Sequence, residues 1–322
     1  MYDFDMRFLK PIIVLGLFFC LTQFANAKSL YSKSYGNPAH PALIFLHGGP
    51  GYNSFTFEHG VAKTLAQQGF YVLVYDRRGS GRSLETRDNQ YTFAEATEDI
   101  SALLNHYDLK QASLLGHSFG GHLALRFTQR YPERVQNVVL TGVPLSFPLM
   151  YQRIHTHCRQ VYAQTDNKQG TAYLNTLVNM PSDSLNYSAY SFMHAMQCGV
   201  YTPAQPTAEA KAIYGKLLRH SDSRYVRFST QAPVKGFFEQ EHYTTQDLTP
   251  VLKELVKTKP VYALLGKEDG LFNAGDFDTY AAILGKERVS VISGASHNAF
   301  IDQKNAFVQQ LKSYLSPHHA LK

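Results

Sequence analysis

The chain of 322 residues has no tryptophan and only three cysteines, and charged residues make up 17% of it. None of the cysteines stands in a CxxC pair, so a zinc site is not supported. Lys and Arg total 31 against 25 Asp and Glu, for a formal net charge of +6. The basic residues are scattered (Lys33, Lys63, Arg126, Arg130, Lys211, Lys253, Lys286) without a run of five or six, which excludes a nucleic-acid footprint and leaves solubility and weak attraction to anionic surfaces. Long apolar runs are missing too. The longest near the N-terminus, Pro11 to Leu21, falls short of the ~20 residues a membrane-spanning helix needs.

That short run has another reading. Arg7 and Lys10 precede it and Ala25-Asn26-Ala27 follows it, the pattern of a secretory signal cut after Ala27, with an uncleaved anchor as the alternative. Met6 as well as Met1 can serve as the start. Cys20 lacks the small preceding residue of a lipoprotein site. The expectation is an exported chain, periplasmic or secreted, with no stable membrane anchoring after cleavage. Residues 1–27 carry two acids and two bases, so the mature chain keeps its mild positive charge. In an oxidising compartment Cys158 and Cys198 are either bridged or two buried free thiols. A bridge would close a loop of forty residues and stabilise the fold by on the order of 4 kcal/mol.

A chain of this length buries roughly three quarters of its extended surface, enough for one large domain or a domain with an insertion. From Lys28 onward apolar strands alternate with helical patterns. Ala42 to Leu46, Phe70 to Tyr75, Ala112 to Leu115, Val135 to Leu140, Val261 to Leu265 and Arg288 to Ile292 read as strands. Helices follow, including one from Ala94 to Tyr107 capped by Thr92, with Glu95 placed to complete a capping box. Further helices are expected from Pro250 to Val256, around Asp276 to Leu284 and from Asn298 to Leu315. Such alternation implies an α/β fold with a mostly parallel sheet covered on both faces. Between 144 and 247 the rhythm breaks: β-branched runs vanish while His, Tyr, Gln and Pro accumulate. This reads as a helical cap over a core formed by residues 28–143 and 248–322.

The chemistry gathers around Gly116-His117-Ser118-Phe119-Gly120-Gly121. It joins a strand to a helix, and a serine at the apex of so tight a turn is lifted off the sheet, with glycines two before and two after relieving the crowding. A plain glycine-rich turn is the bland alternative. The amide of Phe119, backed by the helix dipole, is positioned to stabilise an oxyanion, and the amide of Gly49 in His47-Gly48-Gly49-Pro50-Gly51 is the candidate second donor. His47 reads as a hydrogen-bonding brace of that loop. Asp269 and His297 each follow a later strand, so the chain order is Ser, acid, His. Serine needs such a base, and the base needs a carboxylate to set its tautomer. Glu268 is the alternative acid. No acid follows the strand ending at Leu140.

These residues resemble the α/β-hydrolase superfamily and, within it, the proline iminopeptidase group of serine aminopeptidases, from His47 to Leu315. His47 to Gly51 matches the group's His-Gly-Gly-Pro-Gly signature, and Asp76 to Ser83 is similar to its Asp-Gln-Arg-Gly-x-Gly-x-Ser segment with Arg77 in the glutamine place. The resemblance implies an eight-stranded core with a helical cap, a Ser118-Asp269-His297 triad, no cofactor, and a short-peptide or small-molecule substrate. Two departures bear on substrate. Gly-His-Ser-Phe-Gly replaces the group's Gly-Gly-Ser-Trp-Gly, and Gln240 precedes His242-Tyr243 where a glutamate that binds the substrate's amino group is expected. Glu239 and Glu241 flank it, as substrate ligands or as a solvated helix face, and Met196-Gln197 is the nearest match to a second cap glutamate. The functional expectation is an acyl-enzyme-forming serine aminopeptidase. The alternatives are a general carboxylesterase and a non-catalytic ligand receptor on the same fold.

Overall fold

The structure, a computed structural model, describes residues 30–316 except Glu85, Arg87 and Phe228. The expected signal segment, its cleavage site, Cys20 and the C-terminal His318 and His319 lie outside the described residues. The strands are β1 (Ser32–Tyr35), β2 (Ala42–Leu46), β3 (Tyr71–Tyr75), β4 (Ala112–His117), β5 (Val135–Thr141), β6 (Val261–Gly266) and β7 (Val289–Ile292). They form one sheet in the order β1-β3-β2-β4-β5-β6-β7, with β1 antiparallel and all other pairs parallel. The described residues thus give seven strands where the resemblance implied eight. The short polar β1, which has no apolar run to announce it, closes the edge beside β3.

Burial on both faces explains the strand sequences. Ala42, Ile44 and Leu46 point into one hydrophobic cluster, and Leu43 and Phe45 into a second on the opposite face. Successive side chains alternate across a sheet, so both registers must be apolar when helices cover both sides.

The early helices are α1 (Phe55–Phe57), which runs through a π-helical turn (Glu58–Ala62) into α2 (Lys63–Gln67), then α3 (Phe93–His106) and α4 (Phe119–Arg130). At the start of α3 the Thr92 side chain accepts the Glu95 amide as expected, but the capping box is not completed. Tyr91 adopts φ +54°, and the Glu95 carboxylate takes the amides of Gln90 and Tyr91 instead of that of Thr92.

Between β5 and β6 the described chain forms no strand beyond one isolated antiparallel bridge between Ser146 and Asp247, and its α-helices are α5 (Phe147–Gln164), α6 (Lys168–Leu177), α7 (Leu185–Gln197), α8 (Ala208–Arg219), α9 (Arg224–Arg227), α10 (Gln231–Glu241) and α11 (Thr249–Leu255). Then come α12 (Ala274–Leu284), α13 (Ala299–Asp302) and α14 (Lys304–Leu315), the last two separated at Gln303, where φ −135° breaks the single final helix expected from the pattern. No described helix is long and apolar enough to cross a membrane.

Because β2 to β7 are parallel, their carboxyl ends share one rim. The chain runs from β2 outward to β3, then returns to β4 on the other side of β2, so the loops after β2 and β4 diverge and leave a crevice between them. The His47–Gly51 loop and Ser118 sit at that switch point.

Candidate active site

Ser118 leaves β4 with φ 52° and ψ −125°, a conformation strained for any residue with a Cβ. The turn survives because its neighbours are small. A Cβ on Gly116 would lie 2.6 Å from Gly121 Cα, and one on Gly120 would lie 1.9 Å from the Leu46 carbonyl oxygen. Ser118 is half-buried and its amide donates to Thr141 O at 3.0 Å, which ties the turn to the end of β5. Phe119 begins α4, so its amide is one of the helix's orphan donors, and among the described residues it has no acceptor.

His297 and Asp269 come together at the same rim. His297 Nδ1 donates to Asp269 Oδ2 at 2.8 Å, with the carboxylate side chain fully buried and the imidazole 11% exposed. The second carboxylate oxygen accepts the Leu271 amide at 3.1 Å. A proton held on Nδ1 leaves the lone pair on Nε2, the form a general base requires. Glu268 is exposed and accepts the Ala204 amide at 2.9 Å, so Asp269 is the carboxylate that meets the imidazole.

The His297 ring lies 4.7 Å from that of His117, the residue before Ser118, and His117 Nε2 donates to His297 O at 3.0 Å. This places the imidazole against the turn that carries Ser118. Ser118 Oγ itself makes no hydrogen bond among the described residues. Nucleophile–base bonds commonly close only once substrate is bound.

The loop after β2 approaches from the other side. A Cβ on Gly48 would lie 3.2 Å from Ser118 Cβ, and Gly49 takes φ +123°, where only glycine is comfortable. The Gly49 amide also lacks an acceptor among the described residues. His47 is neutral: burial first, then the nearby Arg77 charge, pushes it well below its ordinary value. Arg77 N donates to its Nε2 at 3.0 Å, so the proton sits on Nδ1, which donates to Gly48 O at 2.8 Å. In the neighbouring segment Arg78 pairs with Asp99, its Nη2 reaching Oδ1 at 2.7 Å. Burial would raise the Asp76 carboxyl, but the hydrogen bonds and charge of Arg82 outweigh it and hold Asp76 below the usual carboxylate range.

The helical segment supplies aromatic surface rather than acids. Phe237 and Tyr243 pack edge-on against Phe119 at 5.1 and 5.4 Å, and the Tyr201 ring lies 5.1 Å from that of His297. Glu239 is turned to solvent, half exposed and 3.6 Å from Lys235. Glu241 accepts the Phe93 amide and thereby caps α3. Met196 is 67% exposed, and Gln197 Oε1 accepts from Tyr162. Cys158 and Cys198 are free, buried thiols side by side; burial first, then a hydrogen bond with Cys198, pushes the Cys158 thiol up. Sequence reasoning did not single out Tyr201 or Asp302. Asp302 Oδ2 accepts the Ser296 amide at 2.9 Å and so braces the turn that presents His297.

Residues 41–304 match the α/β-hydrolase fold family, and the chain belongs to it. It is similar to proline iminopeptidases of Lactobacillus helveticus strain DPC 4571 (24% identity, 86% of this chain and 90% of that protein) and of Lactiplantibacillus plantarum (27%, 86% and 92%). Among solved structures it is similar to the proline iminopeptidase-related protein of Thermus thermophilus, with a TM-score of 0.68, 26% identity and coverage of 89% and 92%.

The buried histidines make this rim sensitive to acid. Burial lowers His47 and His117 well below their ordinary value and His122 to about 3, while each is protonated near pH ~6.5 in the unfolded chain. Stability is therefore complete above pH ~6.5 and falls as the pH drops from there, by roughly 1 kcal/mol per histidine at pH ~5.5. Asp302 has the opposite sign: burial raises it to about 6, so protonating it returns some stability below that pH. Urea unfolding should show a clearly lower midpoint at pH ~5.5 than at pH ~7, with the gap narrowed in His122→Gln. Equal midpoints would contradict buried, neutral imidazoles.

Proposed function

We propose that this protein is an exported serine hydrolase that releases an N-terminal residue, proline foremost, from short peptides through an acyl-enzyme on Ser118. The observation that carries the reading is the 2.8 Å bond from His297 Nδ1 to Asp269 Oδ2, at the rim where Ser118 is held with φ 52° at the head of α4. In the proposed reaction Ser118 Oγ attacks the substrate carbonyl carbon while His297 Nε2 takes its proton. The carbonyl oxygen, now negative, is received by the amides of Gly49 and Phe119. The tetrahedral adduct collapses, His297 returns the proton to the leaving amine, and water repeats the sequence to free the acid and regenerate Ser118. Residues 144–247 form the cap that bounds the substrate, and Cys158 and Cys198, free buried thiols here, would be joined by a disulfide in an oxidising compartment. The peptidase specificity draws on the likeness to proline iminopeptidases.

A second reading, hydrolysis of small acyl esters, is favoured by one observation. A substrate ammonium in a partly buried site needs a carboxylate partner. Glu239 faces solvent and Glu241 is engaged by the Phe93 amide. Purified protein given a proline arylamide and a short-chain aryl ester separates the two. The peptidase reading expects release of the arylamine; hydrolysis of the ester alone would leave the carboxylesterase.

A further inference from the structure

Arg77 follows the end of β3 and turns beneath the His47–Gly51 loop. Its side chain is buried, with the residue 3% exposed, yet among the described residues no carboxylate pairs with it. The adjacent Asp76 is taken up by Ser54 and Arg82. The guanidinium instead donates to main-chain carbonyls: Nη1 to His47 O, and Nη2 to Gly48 O and to Pro50 O, the last at 3.1 Å. Among the described residues its Nε has no partner. Burial lowers the Arg77 pKa to about 10, so holding the charge there is unfavourable. A neutral side chain could brace a loop without that penalty.

The carbonyls it holds show what the charge can do. In a trans peptide the C=O and N–H point in opposite directions. Gly48 O is held from one side by Arg77 Nη2 and by His47 Nδ1 at 2.8 Å, so the N–H of the same peptide unit, that of Gly49, is fixed facing away from them. That N–H is without an acceptor among the described residues, in a loop that touches Ser118. The guanidinium carbon also lies 5.3 Å from the centre of the Phe119 ring, whose residue supplies the other orphan amide.

We infer that Arg77 is a positioning residue for the oxyanion: it locks the Gly48–Gly49 peptide so that the Gly49 amide meets the charge developing beside Ser118, and it lends that peptide a desolvated positive charge. The inference rests on the serine-hydrolase reading above. Such a charge matters most in the tetrahedral state and little in the ground state, because the bound substrate carbonyl is neutral.

The test compares Arg77→Met, Arg77→Gln and Arg77→Lys with wild type, using a short-chain aryl ester and an arylboronic acid that adds to the serine hydroxyl as a tetrahedral anion. Arg77→Met should lose about 100-fold in kcat and a similar factor in boronate affinity, with KM close to wild type. Arg77→Gln keeps a donor without the charge and should lie between, and Arg77→Lys should recover most of the loss. If Arg77→Met proves unfolded by circular dichroism, the Gln and Lys variants decide, and equal losses in both would overturn the role of the charge. A folded Arg77→Met with wild-type kcat and boronate affinity, or with only KM changed, would also overturn it. A wild type that neither cleaves the ester nor binds the boronate would instead remove the serine-hydrolase reading, and this inference with it.

Discussion

Replacing Asp269 by asparagine should lower kcat by about 10⁴-fold while leaving the melting temperature close to that of wild type. The carboxylate oxygen that accepts from His297 Nδ1 at 2.8 Å sets the imidazole tautomer. An amide at that place can donate to Nδ1 and drive the proton to Nε2, where it blocks the base. The fold is spared because the amide oxygen can still accept from Leu271 N, as Oδ1 now does at 3.1 Å. Glu268→Gln is the control, since Glu268 is exposed and its carboxylate meets the Ala204 amide rather than the imidazole. Steady-state kinetics on both variants decide: a large loss in Glu268→Gln with little in Asp269→Asn would move the acid to Glu268.

The second large effect is on stability. Gly120→Ala should destabilise the protein by about 3 kcal/mol and lower its melting temperature by roughly 5–10 °C. A Cβ there would lie 1.9 Å from Leu46 O, 2.5 Å from Leu46 C and 2.7 Å from His47 O, all backbone atoms of a central strand and its loop. None can swing aside as a flexible side chain would, so either α4 or the His47–Gly51 loop must move. Gly69→Ala provides the comparison. It has φ +92° and no neighbour within 4 Å of the added carbon, so its cost is backbone strain alone, about 1 kcal/mol. Calorimetry on the two variants should separate them clearly; equal melting temperatures would mean that the turn and the loop are not packed together as described.

Much of this geometry was legible in the order of residues. Apolar runs located β2 to β7 within a residue or two at each end; β2, β3 and β6 are buried on both faces and apolar throughout, whereas Gln136 and Asn137 interrupt β5 and the edge strand β7 is only partly buried. The tight turn at Ser118 was equally legible, since glycines flanking a serine between a strand and a helix admit few conformations. β1 escaped notice because Ser32–Tyr35 pairs at an edge, where no burial pattern is imposed. The single helix expected after His297 is two, because the break at Gln303 depends on tertiary contacts and no proline or glycine marks it. Glu239 and Glu241 show the limit most clearly. They stand two residues apart on α10, yet one pairs with Lys235 in solvent and the other caps α3, and only the docking of α10 decides this. Arg77 was visible as an arginine in a glutamine's place, but its three carbonyl partners lie some thirty residues earlier and need the fold to be seen.

The claim on which the rest depends is that Ser118 is a nucleophile activated by His297. It is tested most directly by treating the purified protein with a fluorophosphonate and locating the adduct by peptide mass spectrometry, with Ser118→Ala and His297→Ala alongside. The account predicts a single adduct on the peptide containing Ser118, absent from Ser118→Ala and formed far more slowly in His297→Ala. An unmodified wild type, an adduct on another residue, or labelling of His297→Ala at the wild-type rate would contradict it.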